Sequence, residues 1–318
     1  MISVEQLTAL KIFSDTSPAA LERLAAEMVE KTFSDGEIIL KEGEVSGALY
    51  LIRSGSVAVQ KKLEPGGGAS KVVARLEAEE FFGEMSFLEH KPHSASIVAQ
   101  EKSVIFLLPR EALDRLIDKD SRSALEQVLT LLSGVSSRLR RTTRELVTVF
   151  EVARLVGRAL RLDELLRQVV GHIQAAFGPK ASIGFYRWNP FNEDYALLVS
   201  QGPRQEIFPA LIEKGSPLLN AGSAETVSIA DVASSRSNVS PLTVSGGHLV
   251  ISRVDMHGKP EGLFLYHASE THAFDAGDRQ MMETLSAVLA PALSSARGRE
   301  EEEARERFER TKQERYLM

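Results

Sequence analysis

The chain has 318 residues, 43% hydrophobic and 26% charged, with no cysteine and a formal net charge of -6. That length accommodates roughly two domains of ~150 residues with real apolar cores, and the acidic balance argues against a dedicated nucleic-acid binder. Without cysteine there are no disulfides, thiolate metal sites, cysteine nucleophiles or thioether-linked chromophores. Residues 1–30 carry helical periodicity, with Ser17-Pro18 as a capping start and Leu21, Leu24 and Met28 on one face. From residue 31 the period changes to two. Short strands are predicted at Glu37–Leu40, Ala48–Ile52, Ser56–Val59, Val72–Leu76, Ile97–Ala99 and Val104–Leu108, separated by Asp35-Gly36, Glu42-Gly43, Ser54-Gly55 and Pro65-Gly66-Gly67-Gly68. Many short strands at regular spacing indicate an antiparallel barrel or jelly roll. The triple glycine lacks a following Lys-Ser/Thr, so it reads as a flexible turn and not a phosphate loop.

Helix returns at Arg110. Leu125, Val128, Leu132, Val135, Leu139, Thr142, Leu146, Val149, Ala153, Val156 and Leu160 then alternate by three and four, about five heptads of seam. Mostly Leu at a and Val at d leans toward more than two strands, which a dimer satisfies if a second helix from each chain joins. The competing reading is a single long helix packed on its own domains. Arg138, Arg140, Arg141 and Arg144 fall mostly off the seam and read as a solvated face. A second domain begins near residue 151, with an amphipathic helix (Leu162, Leu165, Leu166, Val169, Val170, Ile173) and strands at Ala181–Tyr186 and Tyr195–Ser200. A loop region rich in Ser, Asn and Gly follows over 214–247, then strands Leu249–Asp255 and Gly262–His267. A terminal helix over 277–318 ends in a charged run.

The segment richest in chemistry is Phe81-Phe82-Gly83-Glu84-Met85-Ser86, followed by His93-Ser94-Ala95-Ser96-Ile97. A glycine and an acid opening a helical turn suit a sugar phosphate: amides at a helix N-terminus point outward unpaired, and a carboxylate accepts hydrogen bonds from ribose hydroxyls. With Gly36-Glu37-Ile38-Ile39, Glu42-Gly43-Glu44 and Leu49–Val57 in family order and spacing, residues 12–120 resemble the cyclic-nucleotide-binding domain. Gly36, Gly43 and Gly55 sit where its tight turns need positive φ. The resemblance implies that Gly83 and the amides of Met85 and Ser86 hold the cyclic phosphate of cAMP or cGMP. It further implies that Glu84 binds the ribose 2′-hydroxyl and that the Ser94 and Ala95 backbone adds phosphate contacts. The family places an arginine where this chain has His93. Exchanging a bidentate guanidinium for an imidazole weakens the phosphate contact by roughly ten- to hundredfold. Three readings stay open: a protonated His93 binds phosphate, the pocket takes another ligand, or the barrel holds none. The Ser94 hydroxyl is a hint toward guanine.

Residues 151–296 resemble a GAF domain through the opening helix, the strand pair around Ser182–Ser200, Leu249–Ser252, Gly262–Tyr266 and the Phe274-Asp275-Ala276-Gly277-Asp278 helix start. Such domains serve dimerisation and small-molecule sensing. Trp188, Asp194, Asp231 and His248 are pocket candidates, with surface-loop roles preferred for each. No metal-ligand spacing, phosphate loop or Gly-x-Ser-x-Gly elbow is present, so catalytic residues and metals are expected to be none. The expected fold class is α+β in two domains: 1–120 a jelly-roll barrel, 121–160 a connecting coiled-coil helix, 161–296 a GAF-like sandwich with an antiparallel sheet, and 297–318 a charged helix. The expected function is a non-enzymatic signal sensor that binds cAMP or cGMP. It forms a homodimer through 121–160 and 277–318 and has no membrane or direct nucleic-acid partner. Neither a charged leader with an apolar run nor ~18 uninterrupted apolar residues occurs, so a cytoplasmic location is expected. The alternatives are a ligand-free dimerisation scaffold and the sensory half of a cyclase, phosphatase or kinase. A catabolite-activator-type transcription factor is disfavoured, because no helix-turn-helix follows the long helix.

Overall fold

In chain order the first unit contains α1 (Val4–Thr8), α2 (Pro18–Glu27), β1 (Val29–Phe33), β2 (Ile38–Leu40), β3 (Ala48–Ser54), β4 (Val57–Lys62), β5 (Ser70–Leu76) and β6 (Phe81–Phe82). After these come α3 (Glu84–Glu89), β7 (Ser96–Ala99), β8 (Ser103–Pro109), α4 (Arg110–Lys119) and the long α5 (Ser121–Val156). This computed structural model describes all residues except 1, 9, 14–15, 63–69, 159, 221–225, 235–238 and 317–318. The expected turn Pro65–Gly68 therefore lies outside the described residues. The chain divides into two units, Met1–Arg141 and Thr142–Met318.

Two antiparallel four-stranded sheets, ordered β1-β8-β3-β6 and β2-β7-β4-β5, form the barrel. Period-two alternation decides which core each side chain joins. On β3, Tyr50 and Ile52 turn inward to meet Val57, Leu76 and Ile97 of the other sheet. Leu49 and Leu51 turn outward and pack with Leu21, Leu24, Phe87, Leu113 and Leu131 of the helices. Strand β8 divides the same way, Ile105 inward and Phe106 and Leu108 outward. Burial on both faces is why these two strands read as unbroken apolar runs. Ser17 caps α2 as expected, its hydroxyl accepting from the Ala20 amide at 3.3 Å. Gly36, Gly43 and Gly55 have φ of 77°, 87° and 88°.

The second unit contains α6 (Leu162–Phe177), β9 (Ala181–Asn189), β10 (Asp194–Gln201), β11 (Leu211–Glu213), β12 (Thr226–Ile229), β13 (His248–Met256), β14 (Lys259–Ala268) and α7 (Ala276–Tyr316). Its six strands make one antiparallel sheet ordered β11-β10-β9-β14-β13-β12. One face packs Phe185, Val250, Phe264 and Tyr266 against α6, α7 and the Val152–Leu155 turn of α5. The other is covered by loop residues Ile207, Phe208, Leu218, Val232, Val239 and Leu242, packed on Tyr186, Tyr195 and Leu263. The chain is thus an α+β protein: a barrel, a long helix, then a second antiparallel sheet with a C-terminal helix. Among the described residues no helix is long and apolar enough to cross a membrane.

Helix α5 departs from the expected seam. Val128 and Val135 pack on the first unit's helical core, and Val149 on the second unit's core. These valines are consumed within the chain. Leu125, Leu129, Leu132 and Leu139 are 54–67% exposed, and Leu146 and Phe150 are 67% exposed. Together with Ser136 and Thr143, those six positions alternate by four and three. Arg140 and Arg144 are exposed, as a solvated face requires, whereas Arg138 and Arg141 are partly buried. Arg138 pairs with Glu84 at 3.4 Å, Arg141 with Glu80 at 3.8 Å and, in the second unit, Arg144 with Asp278 at 3.9 Å.

Candidate functional site

The loop between β6 and α3 is shaped by what surrounds Gly83. Strand β6 pairs with β3, Phe82 opposite Tyr50, and the two rings stack with centroids 5.1 Å apart. The chain then turns through Gly83 at φ 81°, the N-cap of α3. A Cβ there would lie 2.9 Å from Tyr50 Cδ2 and 3.1 Å from the Ala48 carbonyl oxygen, so only glycine fits both the turn and the space. Phe87 N–H donates to the Gly83 carbonyl at 2.9 Å to begin the helical ladder, and the amides of Glu84, Met85 and Ser86 precede it in the first turn. With α3 only six residues long, an anion here relies on those amides themselves more than on a macrodipole. Ser86 is buried and donates to the Ser46 carbonyl at 2.8 Å, which pins the turn to the loop between β2 and β3. Met85 stands half-exposed above it.

Glu84 is held from α5. Arg138 Nη1 lies 3.4 Å from Glu84 Oε1, while Nη2 donates to the Phe81 carbonyl at 2.6 Å. The guanidinium sits 5.1 Å from the centroid of the Phe81 ring. One helical turn earlier, Gly134 meets that same ring, where a Cβ would come within 2.8 Å. Positions 134 and 138 share a face of α5, and that face rests on the Phe81–Glu84 turn.

His93 is tied to the loop between β2 and β3. It is 7% exposed, its N–H donates to the Glu44 carbonyl at 2.8 Å, and its carbonyl accepts from Gly43 N–H at 2.9 Å. The ring Nε2 is hydrogen-bonded to Ser46 Oγ at 2.8 Å. Burial holds the imidazole below its ordinary value, and the Glu44 carboxylate only partly opposes this. Ser94 is exposed, with its hydroxyl 3.9 Å from Met85 Sδ, and its carbonyl accepts from Lys61 Nζ. Ala95 is half-buried just before β7. The fold therefore gathers Gly83, Glu84, Met85, Ser86, His93, Ser94 and Ala95 around one loop pair. Sequence reasoning missed Ser46, Lys61 and Arg138.

In the second unit the surface-loop reading fails for Trp188, Asp194 and His248, all of which lie in strands. Asp194 is buried at the start of β10 and His248 is 1% exposed at the start of β13. His248 Nδ1 accepts from the Phe274 amide at 3.0 Å, so Nε2 carries the proton and donates to Ser228 Oγ at 2.7 Å. The ring offers Ser228 no base. Burial first, then Arg279, bring its pKa down to about 4. Trp188, on β9, packs tilted against Tyr195 with ring centroids 4.8 Å apart, and Asp231 caps a turn through the Ala233 amide. Among the described residues no group of three or more His, Asp or Glu is placed to hold a metal ion.

Residues 30–120 match the family model described as the cyclic nucleotide-binding domain. The chain is 33% identical over 111 residues to a cGMP-dependent protein kinase of Eimeria tenella, covering 35% of this chain and 10% of that protein. It is 32% identical over 111 residues to a cAMP-dependent protein kinase regulatory subunit of Yarrowia lipolytica, covering 35% of this chain and 28% of that protein. The chain thus spans between a tenth and little more than a quarter of those relatives. Among solved structures, a cyclic nucleotide-binding domain from Methylobacillus flagellatus has 28% identity and a TM-score of 0.39, over 43% of this chain and 76% of that one.

Proposed function

We propose that this chain is a non-enzymatic, cytoplasmic signalling protein whose barrel binds cAMP or cGMP and whose α5 reports occupancy. The observation that carries the reading is the Arg138–Glu84 pair: the carboxylate that the family resemblance assigns to a ribose hydroxyl is the one paired with the helix. A ligand that takes a share of Glu84 changes what α5 is attached to, so it prefers one arrangement of the helix over another. The match of residues 30–120 supports a nucleotide in the barrel. Relatives named for cGMP and for cAMP dependence support the ligand class without choosing within it.

The six-stranded sheet with α6 and α7 on one face supports a GAF-like second domain, used for dimerisation and relay. Its opposite face is filled by its own apolar side chains, which favours relay over ligand sensing. The exposed α5 stripe supports a homodimer. With the valines turned onto the chain's own cores, Leu125, Leu132, Leu139 and Leu146 become d positions and Leu129, Ser136, Thr143 and Phe150 become a positions. Leucine at d with polar residues at interior a positions favours two strands, not the higher number that the Leu-Val register implied.

The second reading is a ligand-free scaffold, favoured by a His93 ring that is buried and committed to Ser46. Thermal unfolding with millimolar cAMP or cGMP separates the two. A ligand at about a hundred times its Kd adds about 2.7 kcal/mol of stability, and Glu84→Ala removes the gain. No shift with either nucleotide between pH 6 and 8 leaves the scaffold.

A further inference from the structure

We propose that Lys61, and not His93, supplies the cation facing the phosphate of an anionic ligand in this barrel. The proposal rests on the cyclic-nucleotide reading of the same site and adds the residue that neutralises the ligand's charge.

Lys61 lies at the exposed end of β4, its side chain half-exposed. Val57 and Val59 belong to the core between the two sheets, and Lys61 lies further along the strand, where the apolar core ends. Strand β4 pairs with β7 through Gln60 opposite Ser96, so Lys61 runs beside the segment that leads out of His93. The ammonium donates to the Ser94 carbonyl, inside the stretch expected to contact phosphate, and to Glu42 Oε1 at 2.7 Å. An ammonium has three protons. Two are assigned, and the third has no acceptor within the described residues.

The neighbouring cations are otherwise engaged. Arg138 is committed to Glu84 and the Phe81 carbonyl. Lys91 pairs with Glu89 at 2.5 Å, and Arg110 with Asp114 at 3.1 Å and the Phe87 carbonyl. The His93 ring bonds Ser46, and burial favours its neutral form. A lysine on a flexible stem reaches a phosphate as a point charge, where the family's arginine forks across two oxygens. Glu42 is the restraint on it. This carboxylate also accepts from the Lys62 amide at 3.1 Å, and it holds the ammonium close to the Ser94 carbonyl.

Calorimetric titration of cAMP and cGMP into the full chain tests the assignment with Lys61→Gln, Lys61→Arg, His93→Ala and Glu42→Gln, each first checked for an unaltered unfolding profile without nucleotide. Lys61→Gln is expected to weaken binding about tenfold or more, Lys61→Arg and His93→Ala to stay within about threefold, and Glu42→Gln to tighten it. Binding by Lys61→Gln at wild-type affinity, or a tenfold loss with His93→Ala, overturns the lysine's role while leaving the nucleotide reading intact. Failure of the unmodified chain to bind either nucleotide overturns both.

Discussion

Removing Arg138 tests whether the Phe81–Glu84 turn and α5 are energetically joined. Unit charges 3.4 Å apart attract by about 5 kcal/mol at an effective dielectric constant near 20, before desolvation. With side chains 26% and 14% exposed, desolvation and screening offset most of that and leave about 1–2 kcal/mol of coupling. The bond from Nη2 to the Phe81 carbonyl and the ring contact add to the loss. Arg138→Met, which keeps the stem over Phe81, is therefore expected to cost about 2–3 kcal/mol. Glu84→Gln should cost about 1–2 kcal/mol, and the double variant should fall short of the sum by the coupling. Urea unfolding followed by far-UV circular dichroism measures the whole chain, while fluorescence of Trp188, its single tryptophan, reports the second unit. A coupling below about 0.3 kcal/mol refutes the ion pair as a joint. If the coupling is present, reciprocity bounds the signal: a ligand that fully displaces Arg138 shifts the α5 equilibrium by about five- to thirtyfold.

Two further outcomes are expected. Light scattering should give twice the 34.9 kDa chain mass, and Leu132→Lys with Leu139→Lys should give a monomer, whereas an unchanged mass for that variant removes the α5 stripe as the contact. His248 titrates near 6.5 when unfolded and at about 4 in the fold, so the fold prefers the neutral ring. Its contribution is fully present above pH 6.5 and is lost as pH falls from there toward 4, roughly 3 kcal/mol in all. His267, also held down by burial, adds to the same interval, so the measurement is the difference in acid sensitivity of Trp188 fluorescence between wild type and His248→Asn. Equal sensitivity counts against the buried ring.

What could be read from the residues follows from where the constraint lies. Strands β3 and β8 announce themselves because both faces are buried, and α2 because Ser17-Pro18 is a local cap. Strand β1, Val-Glu-Lys-Thr-Phe, is almost wholly exposed at a sheet edge and shows no inward pattern, and β6 is two residues long. Strands β11 and β12 are short edges for the same reason. The family resemblance singles out Gly83–Ser86 and His93–Ala95, and the fold brings the two stretches together. Their partners were not legible, because Arg138 lies 54 residues from Glu84 and Lys61 33 residues from Ser94, and nothing local marks either. The α5 register failed for a related reason: apolar spacing shows that a valine is buried but not whether a neighbouring chain or its own barrel buries it.

Gly134 carries a consequence for how closely α5 approaches the barrel. Where most helices meet a neighbour through side chains that can hop between rotamers, α5 sets bare backbone against the Phe81 ring. The α5 side of this contact has no side chain that could yield, so any larger residue at 134 has to push the Phe81 ring aside, and with it the turn that leads into Glu84.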